Sequence, residues 1–242
     1  MKSVFGTTMA LFATMFLFGQ GTTFQEQAER LQNINAFLLD FRPNTAPIPA
    51  GEGHLEIALD INPQPTIDTR IGRKDEPVDP PSVVPKLRGR YLFRNGLVLG
   101  AAYAPGIEFE DYEAEFISVE LGYRFQIASW GMALRGSYTD GDLNGPITEA
   151  GGEDMFAFTN YGGDFSIGHQ LGVIHLYGFV GWNDVDTELD VESDGAHLAF
   201  TESTYYWGGG ASYTRGSWQL NLEQNATDDY LYHLTFSLSY RF

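Results

Sequence analysis

Cysteine is absent from the 242 residues, which excludes a disulfide scaffold, a thiolate metal site, a cysteine nucleophile and a lipid-anchored lipoprotein. Bases are scarce. Fourteen lysines and arginines stand against 32 acids, a formal net charge of −18, so the chain lacks the basic surface that a nucleic-acid partner requires. Beyond residue 21 there is also no apolar run of the roughly 20 residues that a membrane-spanning helix needs. If this chain enters a bilayer, strands carry it there.

Glycine (28 residues) and aromatics (14 %) are plentiful, a combination that suits a barrel, where glycine eases curvature and aromatic rings gather at the two lipid–water interfaces. At the start of the chain, Lys2 followed by the short apolar run Met9 to Phe18 and by Gly19-Gln20-Gly21 reads as an exported leader with a small-residue cleavage site. Residues 1–21 are therefore expected to be a signal peptide. Phe24, Ala28, Leu31, Ile34, Leu38 and Phe41 then recur at helical spacing, ended by Pro43, Pro47 and Pro49. Residues 22–50 are expected to form a short helix and linker on the periplasmic side, against the barrel or in its mouth.

From about residue 53 the period is two. Leu55, Ile57, Leu59 and Ile61 alternate with His54, Glu56, Ala58 and Asp60, and Ile117, Val119, Leu121, Tyr123 and Phe125 alternate with Ser118, Glu120, Gly122 and Arg124. Further strands follow at 87–93, 97–103, 132–138, 157–169, 172–182, 203–214, 218–225 and 230–242. Their connections alternate short (94–96, 126–129, 170–172, 215–217) and long (62–85, 105–113, 140–155, 183–202), with a brief last one at 226–229. Short periplasmic turns, longer outer loops and an even strand number describe an antiparallel transmembrane β-barrel. The expected fold is all-β, with about ten strands (eight to twelve) over residues 51–242. The register of the sixth and seventh strands is unsettled, because His169, His175 and the apolar run Val173 to Val180 blur which face meets lipid.

The last strand alternates Tyr230, Tyr232, Leu234, Phe236, Leu238, Tyr240 and Phe242 with polar residues and ends on phenylalanine. It resembles the C-terminal β-signal of bacterial outer-membrane proteins, with Tyr240 and Phe242 as the assembly signal. That resemblance covers about a dozen residues closely and implies the bacterial outer membrane as location. It also implies lipid and lipopolysaccharide as surroundings, and the barrel-assembly machinery with periplasmic chaperones as partners in biogenesis. It brings no active site with it.

Trp130 and Trp218 open strands after short turns and Trp182 closes one before a long loop, the positions of two interfacial girdles. With the apolar face in lipid, the lumen receives Glu56, Asp60, Glu120, Asp164 and Glu223 opposite Lys86, Arg88, Arg90, Arg124 and Arg135. Small barrels fill with side chains, whereas wide aqueous channels come with roughly 16 or more strands, so balanced charges predict a plug. The segment from Asp140 through Asp142 and Asn144, with Glu149 flanking it, has the oxygen spacing of the first half of a calcium loop. Asp, Asn and Gly equally make turns, and the twelfth position is Gly151, so no cofactor is expected beyond a weakly held calcium ion.

Three functions follow in order. The first is a non-enzymatic outer-membrane barrel with a plugged lumen and acidic surface loops, in a structural or surface-interaction role. The second is a narrow channel or transporter for small solutes. The third is an outer-membrane hydrolase, for which Asp184, Asp186, Asp194 and His197 are the candidates, with no catalytic residue assigned.

Overall fold

The computed structural model describes residues 24–39, 46–47, 53–63, 83–148, 152–193, 195–227 and 232–242. The segment read as a signal peptide lies outside these residues. Phe24–Leu39 is a helix, α1. Ten strands follow: β1 (His54–Pro63), β2 (Val83–Leu92), β3 (Leu97–Phe109), β4 (Tyr112–Ile127), β5 (Trp130–Gly145), β6 (Asp154–Leu171), β7 (Ile174–Val191), β8 (Ala196–Arg215), β9 (Trp218–Thr227) and β10 (Tyr232–Arg241). They form one closed antiparallel barrel in chain order, sealed by β1 against β10. The seam reaches the last residue, since the amide of Phe242 donates to the carbonyl of Leu55 at 2.9 Å. Where all ten strands pair around the barrel no sheet edge is left, the condition for exposing strands to lipid.

The barrel has a near end, where the β2–β3, β4–β5, β6–β7 and β8–β9 turns lie and where β1 begins and β10 ends, and a far end. Five strands are much longer than a bilayer requires, β4 among them with 16 residues. β5 and β6 carry 16 and 18 residues, and β7 and β8 carry 18 and 20, against roughly 9–11 for a transmembrane strand. Most of what the sequence reads as loops at 105–113, 140–155 and 183–202 is therefore strand. β3 and β4 meet in a two-residue turn, Glu110-Asp111, whose φ angles of 52° and 65° match the twist of a hairpin. Trp182 consequently does not close a strand. It lies in the middle of β7, which runs on to Val191.

A change of polarity accounts for the misreading. On β7 the outward positions Ile174, Leu176, Val180 and Trp182 are apolar, while the next four, Asp184, Asp186, Glu188 and Asp190, are acidic. The inward positions do the reverse, running from His175 and Tyr177 to buried Val185, Leu189 and Val191. The alternation never stops; it inverts.

That inversion also places α1. Its buried side chains Ala28, Leu31, Ala36 and Leu39 pack with Phe116, Leu143, Phe156, Phe158 and Leu189 in one apolar cluster on the inner wall of the far half. The helix thus lies inside the far half of the lumen. The far half has the one apolar inner wall that its stripe can cover. In the near half the Ala46 amide donates to Ser212 Oγ at 3.4 Å.

Candidate functional site

The near half of the lumen is a continuous ion-pair network. Arg88 on β2 bridges β1 through its Nε to Asp60 at 2.7 Å and its Nη1 to Glu56 at 3.2 Å, and donates to Ser237 on β10 at 3.0 Å. Arg90, one inward step away, contacts Glu120 at 2.5 Å, and Glu120 continues to Arg135 at 3.8 Å. Arg135 closes on Asp164 through its Nε at 2.7 Å. Arg241 meets Glu56 at 3.7 Å across the seam. Arg124 lines a small 30 Å³ cavity with Arg90, Glu120, Arg135 and Asp164, about the room one water occupies. All of these charged groups except Arg241 are nearly inaccessible to solvent.

Glycines build this network from the backbone upward. In three rungs a glycine on the middle strand lets side chains of the two flanking strands meet over it: Arg90–Gly100–Glu120, Asp164–Gly181–Tyr206 and Tyr177–Gly210–Glu223. Tyr206 donates to Asp164 at 3.1 Å, and Tyr177 to Glu223 at 2.7 Å. A Cβ on Gly210 would lie 2.6 Å from the Tyr177 ring, closer than atoms approach. Phe116, Gly141 and Phe158 repeat the arrangement in the apolar half, with the two rings 6.2 Å apart.

The two halves meet at Lys86, whose Nζ donates to the Leu39 carbonyl at 3.2 Å and lies 5.2 Å from the centre of the Phe116 ring. Leu39 is the last residue of α1, so the ammonium satisfies a carbonyl that no helical amide reaches. Higher up, Thr187 donates to Gln32 at 2.6 Å and Asn33 donates to Glu202, fixing α1 to β7 and β8.

Outside, large apolar residues remain exposed in a belt around the near half, among them Leu59, Leu87, Leu121, Leu134, Leu176, Leu220 and Phe236. On β4 the belt runs from Ile117 to Ile127, a rise of roughly 33 Å along the strand and about 25 Å along the bilayer normal at a tilt near 40°. Aromatic rings bound it on both sides. Trp130, Trp218, Tyr240 and Phe242 mark the near edge, and Tyr103, Tyr138, Tyr161, Trp182 and Tyr205 the far edge. Trp130 stacks on His169 with centroids 5.0 Å apart, and Trp218 meets Tyr240 edge-on at 4.9 Å. A belt of this height between two girdles has one solvent. The molecule is a membrane β-barrel. None of its described helices is long and apolar enough to cross a bilayer, so the strands make the crossing.

No protein-family model matches the chain, and no curated protein sequence matches it significantly. Similar solved structures include Ail, the attachment invasion locus protein of Yersinia pestis, at 14 % identity and a TM-score of 0.35, covering 79 % of this chain and 99 % of Ail. They include the toluene transporter TodX of P. putida at 12 % identity and 0.33, covering 83 % and 69 %. They also include the translocator domain of autotransporter NalP from Neisseria meningitidis at 10 % identity and 0.42, covering 97 % and 96 %.

Beyond the far girdle the outer wall is acidic, and the remaining candidates fall on it. Asp140, Asp142 and Asn144 occupy successive outward positions of β5, spaced along a strand instead of converging from a loop. Asp140 accepts from Thr159 at 2.9 Å and Asp142 from Asn144 at 3.1 Å. Burial and then the neighbouring Glu115 push the Asp142 carboxyl up from its ordinary value. Glu149 lies outside the described residues, and among those described no group of three or more histidines and carboxylates is arranged to hold a metal. The Asp140–Thr159 and Asp142–Ala157 rungs hold this stretch as extended strand, where the sequence reads a loop.

The hydrolase candidates are also spread out. His197 Nδ1 lies 2.6 Å from Asp190, whereas Asp186 accepts from Thr201 at 2.7 Å and Asp184 accepts from Ser203. Asp186 and Asp190 are four residues apart on one strand, roughly 13 Å. Asp194 lies outside the described residues. Sequence reasoning named the lumen charges but missed Tyr177 and Tyr206, whose roles depend on the glycines beside them in the register, and Arg241, which meets Glu56 across the β1–β10 seam.

Proposed function

We propose that this chain is a non-conducting barrel of the bacterial outer membrane, closed at two levels, whose rigid acidic wall beyond the bilayer is its working surface. One observation carries the reading: paired charges fill the near half of the lumen, and α1 fills the far half against an apolar wall. The near end then faces the periplasm, in accord with its short turns and with the resemblance of β10 to the assembly signal. The wall is built of hydrogen-bonded strands and not of loops, so it presents Asp140, Asp184, Asp186 and Glu188 at fixed spacing. A structural or surface-interaction role, with lipopolysaccharide bridged through divalent cations as neighbour, suits such a surface better than catalysis, because the acids are spaced along strands.

Swelling of liposomes that contain the refolded protein tests this reading. The full chain should leave uptake of small sugars and amino acids at the protein-free rate. Uptake well above that rate would establish the narrow channel instead.

A further inference from the structure

The barrel wall opens between β2 and β3 before either strand ends. β1 stays paired to β2 up to the Pro63–Val83 rung, and β3 stays paired to β4 up to Phe109–Tyr112, with a register shift between Ala104 and Ile107. Between β2 and β3, however, pairing stops at Leu87–Tyr103, although β2 extends to Val83 and β3 to Phe109. Pro85 and Pro105 flank the gap, and neither has an N–H to donate across it.

A cavity of about 180 Å³ occupies the gap, lined by Val84, Pro85, Ala104, Pro105, Ile107 and Tyr112 among others. It crosses the wall. Val84, Ala104 and Tyr112 belong to the buried apolar cluster around α1, while Pro85 and Ile107 stand outside, Ile107 being 67 % exposed. The rung just below, Leu87 and Tyr103, is part of the lipid-facing belt and its far girdle, so the cleft opens onto the membrane interface.

We propose that this cleft is a binding site for a small uncharged hydrocarbon, of about benzene or hexane size, entering from the membrane interface. Chemistry sets the class of ligand. The one side-chain hydroxyl in the lining, that of Tyr112, donates to the Pro146 carbonyl at 2.9 Å, so the lining rewards apolar contact and offers no built polar site. Size sets the limit. An engineered protein cavity of about 150 Å³ lined by aliphatic and aromatic groups stays dry and takes up benzene. The inner end is stopped by the α1 cluster, so the site retains its ligand and does not pass it through the lumen. The proposal stands apart from the acidic wall and from the question of conductance.

The test is a soak of bromobenzene into crystals of the full chain, read from the anomalous signal of bromine. The proposal expects a peak between Pro85 and Ile107 at the wall. Two variants check that the cleft holds it: Ala104→Leu fills the inner end, and Ile107→Arg crosses the exposed lip, where folding does not depend on the side chain. Each should lose the peak, and Ile107→Arg should retain the heat-modifiable gel migration of a folded barrel. A peak that persists in folded Ile107→Arg, bromine scattered only along the general lipid belt, or an ordered lipid tail or residues 64–82 seated in the cleft would overturn the proposal.

Discussion

Tyr177 on β7 donates a 2.7 Å hydrogen bond to Glu223 on β9, reaching over Gly210 on the strand between them. The absence of one Cβ decides whether a phenol and a carboxylate two strands apart can meet. Gly210→Ala should push the ring off the carboxylate and cost about 1–3 kcal/mol, the range for overpacking. Gly178→Ala supplies the contrast, because its Cβ would find nothing closer than 3.5 Å and should change stability by less than about 0.5 kcal/mol. Urea unfolding of both variants in liposomes measures the difference.

Arg88 holds two carboxylates at once, so its removal is worse than removal of the whole group. Arg88→Met leaves Glu56 and Asp60 buried on one strand without their shared cation, a loss of about 3–5 kcal/mol. Adding Glu56→Gln and Asp60→Asn should recover much of it. Unfolding midpoints of the single and triple variants give the answer, and equal losses in both would show that Arg88 acts through packing alone.

The change of outer-wall polarity fixes the far surface of the bilayer. Leu121 and Glu115 face outward on the same strand, six residues apart. Leu121→Arg places a cation in mid-belt and should destabilise by about 2–4 kcal/mol. Glu115→Arg lies beyond the girdle and should stay within about 0.5 kcal/mol of the parent. Similar costs at both positions would contradict the boundary at the level of Tyr138, Tyr161 and Trp182.

His197 on the exposed far wall has its pKa raised by its hydrogen bond to Asp190 and by that residue's charge. The folded value lies above the unfolded one, near 6.5. Its small contribution is therefore complete below that pH and is lost as pH rises through the folded value. NMR titration of the His197 ring should give a raised midpoint that returns toward the ordinary one in Asp190→Asn. An unchanged midpoint in that variant would remove Asp190 as the cause.

Sequence alternation is legible where a strand crosses lipid, as in Ile117 to Phe125 of β4 or Leu234 to Tyr240 of β10, because one face must be apolar there. From this the barrel, its ten strands and the inward charges can be read. Beyond the girdle the same period continues through Asp184, Val185, Asp186, Thr187, Glu188, Leu189, Asp190 and Val191, but with acids on the parity that lipid occupied below. A reading that follows the apolar parity sees a loop there. The Asp140 to Asn144 stretch reads as loop for the same reason, since an inverted strand and a loop with calcium-type spacing both place oxygens at alternate residues. The ion pairs of Arg90 and Arg135 needed register as well, because their partners lie two strands away or on the neighbouring strand at one particular rung.

Closure of the lumen at two levels is the central claim, and single-channel recording in planar bilayers tests it most directly, using the full chain and a form lacking residues 22–50. The second form loses the helix and its linker while the ion pairs from Asp60 to Asp164 remain in place. Both forms should be silent, because the near half is closed without the helix. Discrete conductance steps in either form would contradict the account and make the charged lumen a pathway.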